Sequence, residues 1–376
     1  MQKILAGFIM DGKSGGIDTY LLHFLDAALE ADVQVDFLTD RIDPDLKEQL
    51  KQNHSRLFEI ASLWHPVRQF RQVKYLIQHE GYTMVYLNIS TSMDCIAAFA
   101  AFQCKVPRRL LHSHSGGNDC ESPVKRTIFN ALQVICRKFL YKTANEFYAC
   151  SKKAGYWMYP KKIVDSDSFH VIYNAVDEER FCYHPHIRQE VRSELNVNSN
   201  FVVGHVGNFC YQKNHQFLLE IFCEILKQEP DAVLILIGKG LRFQQIQEKA
   251  KQMGIANSVQ FLGWQKDADR LFQAMDVFLL PSHFEGLPTV GIEAQCTKLP
   301  CVLSDSITDE TSISSRCTFL SLKESPKKWA DTVLACKDID RSKTNLTDEA
   351  AKYGLAAQKE QLKELLHYGR NLWKKY

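Results

Sequence analysis

The amino-acid sequence predicts an α/β protein made of two doubly wound domains, one after the other. Three observations carry the prediction. Short apolar runs alternate with longer amphipathic segments, and this alternation restarts after residue 200. The chain is also 376 residues long, and a single core stops growing at roughly 250–300 residues.

In the first half, apolar runs at 3–9, 33–38, 84–87, 109–112, 146–149 and 169–173 read as strands. Helical patterns fill about 17–30, 65–79, 92–102, 123–141 and 151–158. Such alternation implies a parallel sheet covered on both faces by helices. The second half opens with a strand at 201–206, after which Leu218, Ile221, Phe222 and Ile225 share one helical face. Further strands are expected at 233–237, 259–262, 277–280 and 301–304. The boundary is expected in the polar stretch 175–200, which contains Pro185, giving domains at 1–180 and 181–349. Residues 341–376 are charged and helical in pattern, and the helix from about 350 is expected to pack back on the first domain.

Composition narrows the function. Net charge is only +2, so nothing points to nucleic acid. Between Lys105 and Lys162, however, twelve Lys and Arg face three acids (Asp119, Glu121, Glu146). Aromatic residues are interleaved with these cations, a pattern that fits an anionic membrane surface or, equally, ordinary solvated helix faces over buried rings. The twelve cysteines show neither CxxC pairs nor zinc-like spacing, so a reducing cytoplasm is expected and a disulfide framework is not. No run approaches the ~20 apolar residues of a membrane span, and the first ten residues read as a strand rather than a signal peptide.

Four loops carry candidate chemistry. The segment from Pro281 to Glu293 follows an apolar strand, and open α/β sheets bind ligands at strand carboxyl ends. Gly286 permits a close backbone approach, and Pro288 suits the first turn of the next helix. That helix start would aim N–H groups at a phosphate near Glu285 and Leu287, while Glu293 could accept bonds from vicinal hydroxyls. The second loop, Gly204 to His215, places Lys213 near a helix start, where an ammonium group can neutralise a diphosphate. The third, Gly12-Lys13-Ser14-Gly15-Gly16-Ile17-Asp18, is neither a dinucleotide fingerprint nor a P-loop, yet can bring backbone N–H groups to an anion. The fourth ends a strand with His112 and His114, expected to project to opposite sides; a metal is not expected, because no third ligand is spaced nearby. A solvated helix start, a plain tight turn or a satisfied histidine is the ordinary alternative at these places.

At PSHFEGLPTVGIE the sequence resembles glycosyltransferase family 4, the retaining enzymes of the GT-B fold, in which two domains face each other across a cleft. Glu285 and Glu293 meet the family's E-x7-E motif, GHVGNFCYQKNH is similar to its phosphate loop, and VIYNAVD is similar to its hinge. The likeness runs in order through residues 12–293 and leans toward the bacterial exopolysaccharide and capsule subgroup.

The resemblance implies an N-terminal acceptor-binding domain and a C-terminal nucleotide-sugar domain. It implies a nucleotide-diphosphate sugar donor, UDP-hexose first, with no cofactor or metal required, and a glycan or lipid-linked acceptor. His114, Lys213 and Glu285 would act at the reacting centre. Gly15, Gly16, Asn208, Lys213, Glu285, Gly286, Leu287, Pro288 and Glu293 would hold the donor. Asn208 stands where the family has Arg, which removes a fixed positive charge and leaves a non-catalytic partner subunit as a second reading, with a sugar-nucleotide epimerase as a third. A nicotinamide oxidoreductase is a further competing reading, disfavoured by the missing GxGxxG and the missing acid about 20 residues on. The sequence leaves the oligomeric state open.

Overall fold

The computed structural model describes residues 2–12 and 15–372, with side chains described up to residue 367. Contacts divide the chain into two compact units. The first comprises Met1–Asn118, Ser122–Ala175 and Leu355–Tyr376; the second comprises Asp119–Glu121 and Val176–Gly354.

The elements of the first unit begin with β1 (Lys3–Gly7), α1 (Gly16–Glu30), β2 (Gln34–Thr39), α2 (Pro44–Gln52) and β3 (Leu57–Glu59). They continue through α3 (Pro66–Glu80), β4 (Met84–Ile89), α4 (Cys95–Gln103), β5 (Arg108–Ser113) and α5 (Pro123–Leu140). The unit's first passage closes with β6 (Glu146–Ala149), α6 (Lys152–Met158), α7 (Lys161–Val164) and β7 (Phe169–Val171). The seven strands form one sheet, ordered β3-β2-β1-β4-β5-β6-β7, and every pairing is parallel. Alternate residues feed opposite faces, as the period of two requires. Ile4, Ala6, Met84 and Tyr86 enter one core. Leu5, Val85, Leu87 and Leu111 enter the other.

The second unit follows with α8 (Pro185–Glu194), β8 (Val202–Val206), α9 (His215–Gln228), β9 (Val233–Ile237), α10 (Phe243–Gln252) and β10 (Val259–Gly263). Next come α11 (Ala268–Ala274), β11 (Val277–Leu280), α12 (Thr289–Cys296), β12 (Cys301–Ser304), β13 (Cys317–Leu320) and α13 (Pro326–Leu334). Its six parallel strands are ordered β10-β9-β8-β11-β12-β13. The order reverses between β8 and β11, the switch point at which doubly wound sheets open a crevice. Trp329, Phe222 and Leu279 lie in this unit's core.

The chain then returns to the first unit as α14 (Leu355–Leu372), which supplies Leu362, Leu365 and Leu366 to the core beside α1. Gln358 is buried there, donating to Tyr173 O at 2.7 Å and bonding His23 Nδ1 at 2.7 Å.

Two stretches differ from the sequence pattern. Residues 175–200 are not simply a linker, because Pro185 starts α8 at its first turn. Residues 341–353 are 3₁₀ turns at Arg341–Lys343 and Asp348–Tyr353 rather than continuous helix. The buried Arg341 guanidinium explains the first: it donates to the carbonyls of Gln273, Met275 and Thr297 and ties the chain down there.

Candidate active site

The switch point of the second sheet positions the main candidates. β8 and β11 are hydrogen-bonded neighbours, with Phe278 opposite Gly204, so the loops that follow them leave side by side. His283 N donates to Gln212 O at 2.8 Å, and Asn214 Nδ2 donates to Pro281 O at 3.1 Å, which joins the two loops directly.

Lys213 Nζ donates to Glu285 Oε1 at 2.7 Å, with both side chains largely buried. The glutamate is fixed from two other directions: Ser282 Oγ donates to Oε1 at 2.8 Å, and the Gln212 amide donates to Oε2. Ser282 is itself buried, and its carbonyl accepts from Ser304 Oγ at 2.6 Å. Gly207 makes room for the lysine stem, since a Cβ there would stand 2.8 Å from Lys213 Cε. Gly238, at φ +147°, lets the next loop approach within a distance that a Cβ would forbid. His205 and His215 lie buried beside Lys213, held neutral by burial; the pKa of His205 is pushed down to about 3.

Pro288 is the N-cap of α12 rather than its first helical residue, and the helix starts at Thr289. Gly286 and Leu287 are buried in the turn before it. Glu293 lies one turn into α12 with part of its surface accessible. Burial raises its carboxyl to about 7, only partly offset by Arg180 and Lys213. Asn208 is exposed, on the loop between β8 and α9.

The other candidates lie in the first unit. Gly15 caps α1 at φ 141°, and a Cβ on Gly16 would meet Asn174 Nδ2 at 3.4 Å. Asp18 is buried and serves the loop, accepting from the N–H groups of Met10, Asp11 and Gly12 at 2.8–3.0 Å. Lys13 and Ser14 lie outside the described residues. His114 bonds Asn88 Oδ1 through Nε2 at 2.9 Å. Burial lowers its pKa to about 3, only partly opposed by the side chain of Asn174, so the ring is neutral.

One expectation fails. The rings of His112 and His114 do not diverge but stack at 4.1 Å, because residues two apart on a strand share a face. His112 is wholly buried and linked to Tyr86 OH at 2.6 Å, which in turn bonds Tyr20 OH at 2.6 Å. It is a core residue, while His114 sits just beyond the end of β5. Among the described residues, no group of three His, Cys, Asp or Glu could hold a metal ion.

Sequence reasoning passed over four of these residues: Ser282, Gln212, Asn174 and Asn88. Asn174 stands inside VIYNAVD, and Ser282 and Gln212 inside the other two quoted segments, so motif membership was the available signal. Asn88 carried none, since it is one polar residue in an apolar strand.

Comparison with known proteins points to one family. The family described as Glycosyltransferase Family 4 matches residues 14–180, and Glycosyl transferases group 1 matches residues 200–338. The chain is 31% identical over 368 residues to the putative glycosyltransferase EpsF of Bacillus subtilis, covering 95% of this chain and 94% of that protein. It is 34% identical over 148 residues to the UDP-Gal:alpha-D-GlcNAc-diphosphoundecaprenol alpha-1,3-galactosyltransferase of Escherichia coli, 38% of each chain. In structure it is similar to Anabaena Alr3699/HepE in complex with UDP-glucose, with a TM-score of 0.76 and 20% identity over 98% of this chain and 100% of that one. It is also similar to the sucrose-phosphate synthase of Thermosynechococcus elongatus, with a TM-score of 0.74 and 16% identity over 100% of both chains.

Proposed function

The chain belongs to glycosyltransferase family 4 and has the GT-B fold, and from that premise we propose that it moves a hexose or N-acetylhexosamine from a UDP-sugar, with retention, onto a glycan or lipid-linked acceptor in surface polysaccharide synthesis. The observation that carries the reading is the Lys213–Glu285 pair at the switch point of the second sheet. In the proposed reaction the bond from the anomeric carbon to the β-phosphate oxygen breaks, and negative charge develops on the departing diphosphate. Preorganised donors aimed at that charge should supply the largest share of catalysis.

Lys213 supplies the ammonium group, and the N-terminus of α12 supplies N–H groups and its partial positive charge. Glu285, oriented by Ser282 and Gln212, receives the sugar hydroxyls beside the backbone of Gly286 and Leu287. Glu293 takes the ribose diol. In the first unit, Gly15 and Gly16 present backbone to the donor, and neutral His114 offers a hydrogen bond without adding charge. No resident cofactor enters this scheme. UDP is favoured as the leaving group because two relatives' names and complexes carry it. The same E. coli relative supports a lipid-diphosphate acceptor, which would be met at a membrane face on the cytoplasmic side.

A thermal-shift screen over UDP-, GDP-, ADP- and dTDP-sugars tests the donor. A true donor at 100 times its dissociation constant adds about 2.7 kcal/mol of stability. Transfer to an acceptor, with the product's anomeric configuration read by NMR, tests the reaction. Equal shifts for all four donors, or none, defeat the donor assignment, and an inverted product defeats retention.

A further inference from the structure

The helix α5 is unusually bare. Of its eighteen residues only Gln133 and Leu140 are buried. Val124, Ile128, Leu132, Ile135 and Phe139 form an exposed stripe at spacings of three and four, between 40% and 71% accessible. The helix contains no acid but carries Lys125, Arg126, Arg137 and Lys138. Beside the stripe lies an apolar groove of about 420 Å³ between α3, α4 and α5, lined by residues that include Phe70, Phe99, Cys136 and Phe139. Two cations stand on its aromatic walls: Lys74 Nζ lies 5.8 Å from the Phe70 ring centre, and Lys142 Nζ lies 5.7 Å from that of Phe139. Trp64, 78% accessible, lies just before α3 with its ring 6.3 Å from Phe129 of α5.

We infer that this face of the first unit docks on an anionic lipid bilayer, with the α3–α4–α5 groove receiving one hydrocarbon chain. Apolar side chains in a stripe, flanked by cations and free of acids, suit the boundary between headgroups and acyl chains. Each Lys or Arg near an anionic surface strengthens the attraction to it. A soluble polar ligand has nothing to bond in a groove of this lining, whereas a hydrocarbon chain needs no hydrogen bonds. Charge complementarity also chooses the lipid class, since the bare helix would repel a cationic surface. The inference rests on the membrane-facing part of the proposed function, and it is tested without donor or acceptor so that the two fail separately.

The full chain is sedimented with vesicles of phosphatidylcholine alone or with phosphatidylglycerol added, at about 0.15 M salt. The inference expects at least tenfold stronger partition onto the anionic vesicles. It expects a loss of that preference in K138E/K142E and a loss of binding to both vesicle types in I135D/F139D. Phosphatidylglycerol with brominated acyl chains should quench wild-type tryptophan fluorescence more than that of W64F. All five positions are exposed, so unchanged melting temperatures and unchanged donor binding should accompany these losses. Equal partition onto both vesicle types, or variants that bind as the wild type does, overturns the inference. So does lipid-free self-association that I135D/F139D abolishes, which would assign the face to a second copy of the chain.

Discussion

The Lys213 ammonium lies 2.7 Å from the Glu285 carboxylate, so the loop that follows β8 is pinned to the loop that follows β11 by one buried ion pair. Burying two charges costs about as much as their attraction returns, so such a pair is better understood as a positioning device than as a source of stability. In the proposed reaction, an arriving diphosphate gives the lysine a second anionic partner. Glu285 can share it because Ser282 and Gln212 remain bonded to the carboxylate.

Replacing Lys213 with Ala should lower transfer at least tenfold, or about 1.4 kcal/mol in the barrier. The circular dichroism spectrum should not change, since Glu285 keeps two of its three partners. Steady-state transfer assays on the purified variant decide the matter, and near-normal rates would remove the lysine from the site.

Asn208 offers a test in the opposite direction. Its side chain is exposed on the loop between β8 and α9, so Asn208→Arg has room. A hydrogen bond to a charged group contributes roughly 1.5–3 kcal/mol, so UDP-sugar binding should tighten about tenfold or more by calorimetry. Unchanged affinity would place residue 208 away from the diphosphate.

Glu293 makes stability depend on pH. Its carboxyl, near 4.5 in the unfolded chain, is raised to about 7 by burial in the folded one. Between those values the folded state holds the proton more tightly, so this group's contribution to stability falls as pH rises through that window and levels off above it. A shift of that size corresponds to something on the order of 3 kcal/mol. Glu293→Gln should therefore be more stable than wild type at pH 8, with the gap closing toward pH 5, as urea denaturation would show. The same substitution, or Glu293→Ala, should cut transfer at least tenfold. A gap that widens toward pH 5 refutes the assignment.

If Glu293 accepts the ribose hydroxyls as a carboxylate, donor binding must lower its pKa and expel a proton. Near pH 6.5, calorimetry of UDP-sugar binding in buffers of different ionisation enthalpy should report a net release. Glu293→Gln should abolish it. Buffer-independent heats in the wild type would show that the donor does not meet this carboxyl.

Deleting residues 355–376 removes α14 and with it Leu362, Leu365 and Leu366 from the core beside α1. At roughly 1.5–3 kcal/mol for each buried leucine, the loss is about 5–9 kcal/mol, comparable with the whole stability of a domain. The truncated protein should bind a hydrophobic dye and lose the first unit's protection from proteolysis, while residues 176–354 stay resistant. A fully protected first unit would show that α14 is dispensable.

Most of the fold could be read from the sequence because buried parallel strands are continuous apolar runs. β4, β9 and β11 could hardly be mistaken. β3 escaped because three residues with a half-exposed edge carry no period, and β13 escaped for the same reason at four residues. The turns of 341–353 were misread because their charged composition looks helical, while a single buried arginine decides the backbone path. At the site, the two loops with Lys213 and Glu285 could be picked out from glycine placement and strand ends, but the ion pair between them could not. The supports of the pair, Ser282 and Gln212, did not follow, since small polar residues acquire meaning only from what they face. His112 and His114 stand two residues apart at the end of β5, so a strand's period of two puts both rings on one face, where they stack.

Because α14 completes the core of the first unit, the order of synthesis matters. The ribosome must make the whole of 176–354 before the last leucines arrive, a delay of roughly 10–35 s at about 5–20 residues per second. During that interval the part of α1 that α14 packs against stays open to water, so a nascent chain stalled within the second unit should be a client for holding chaperones.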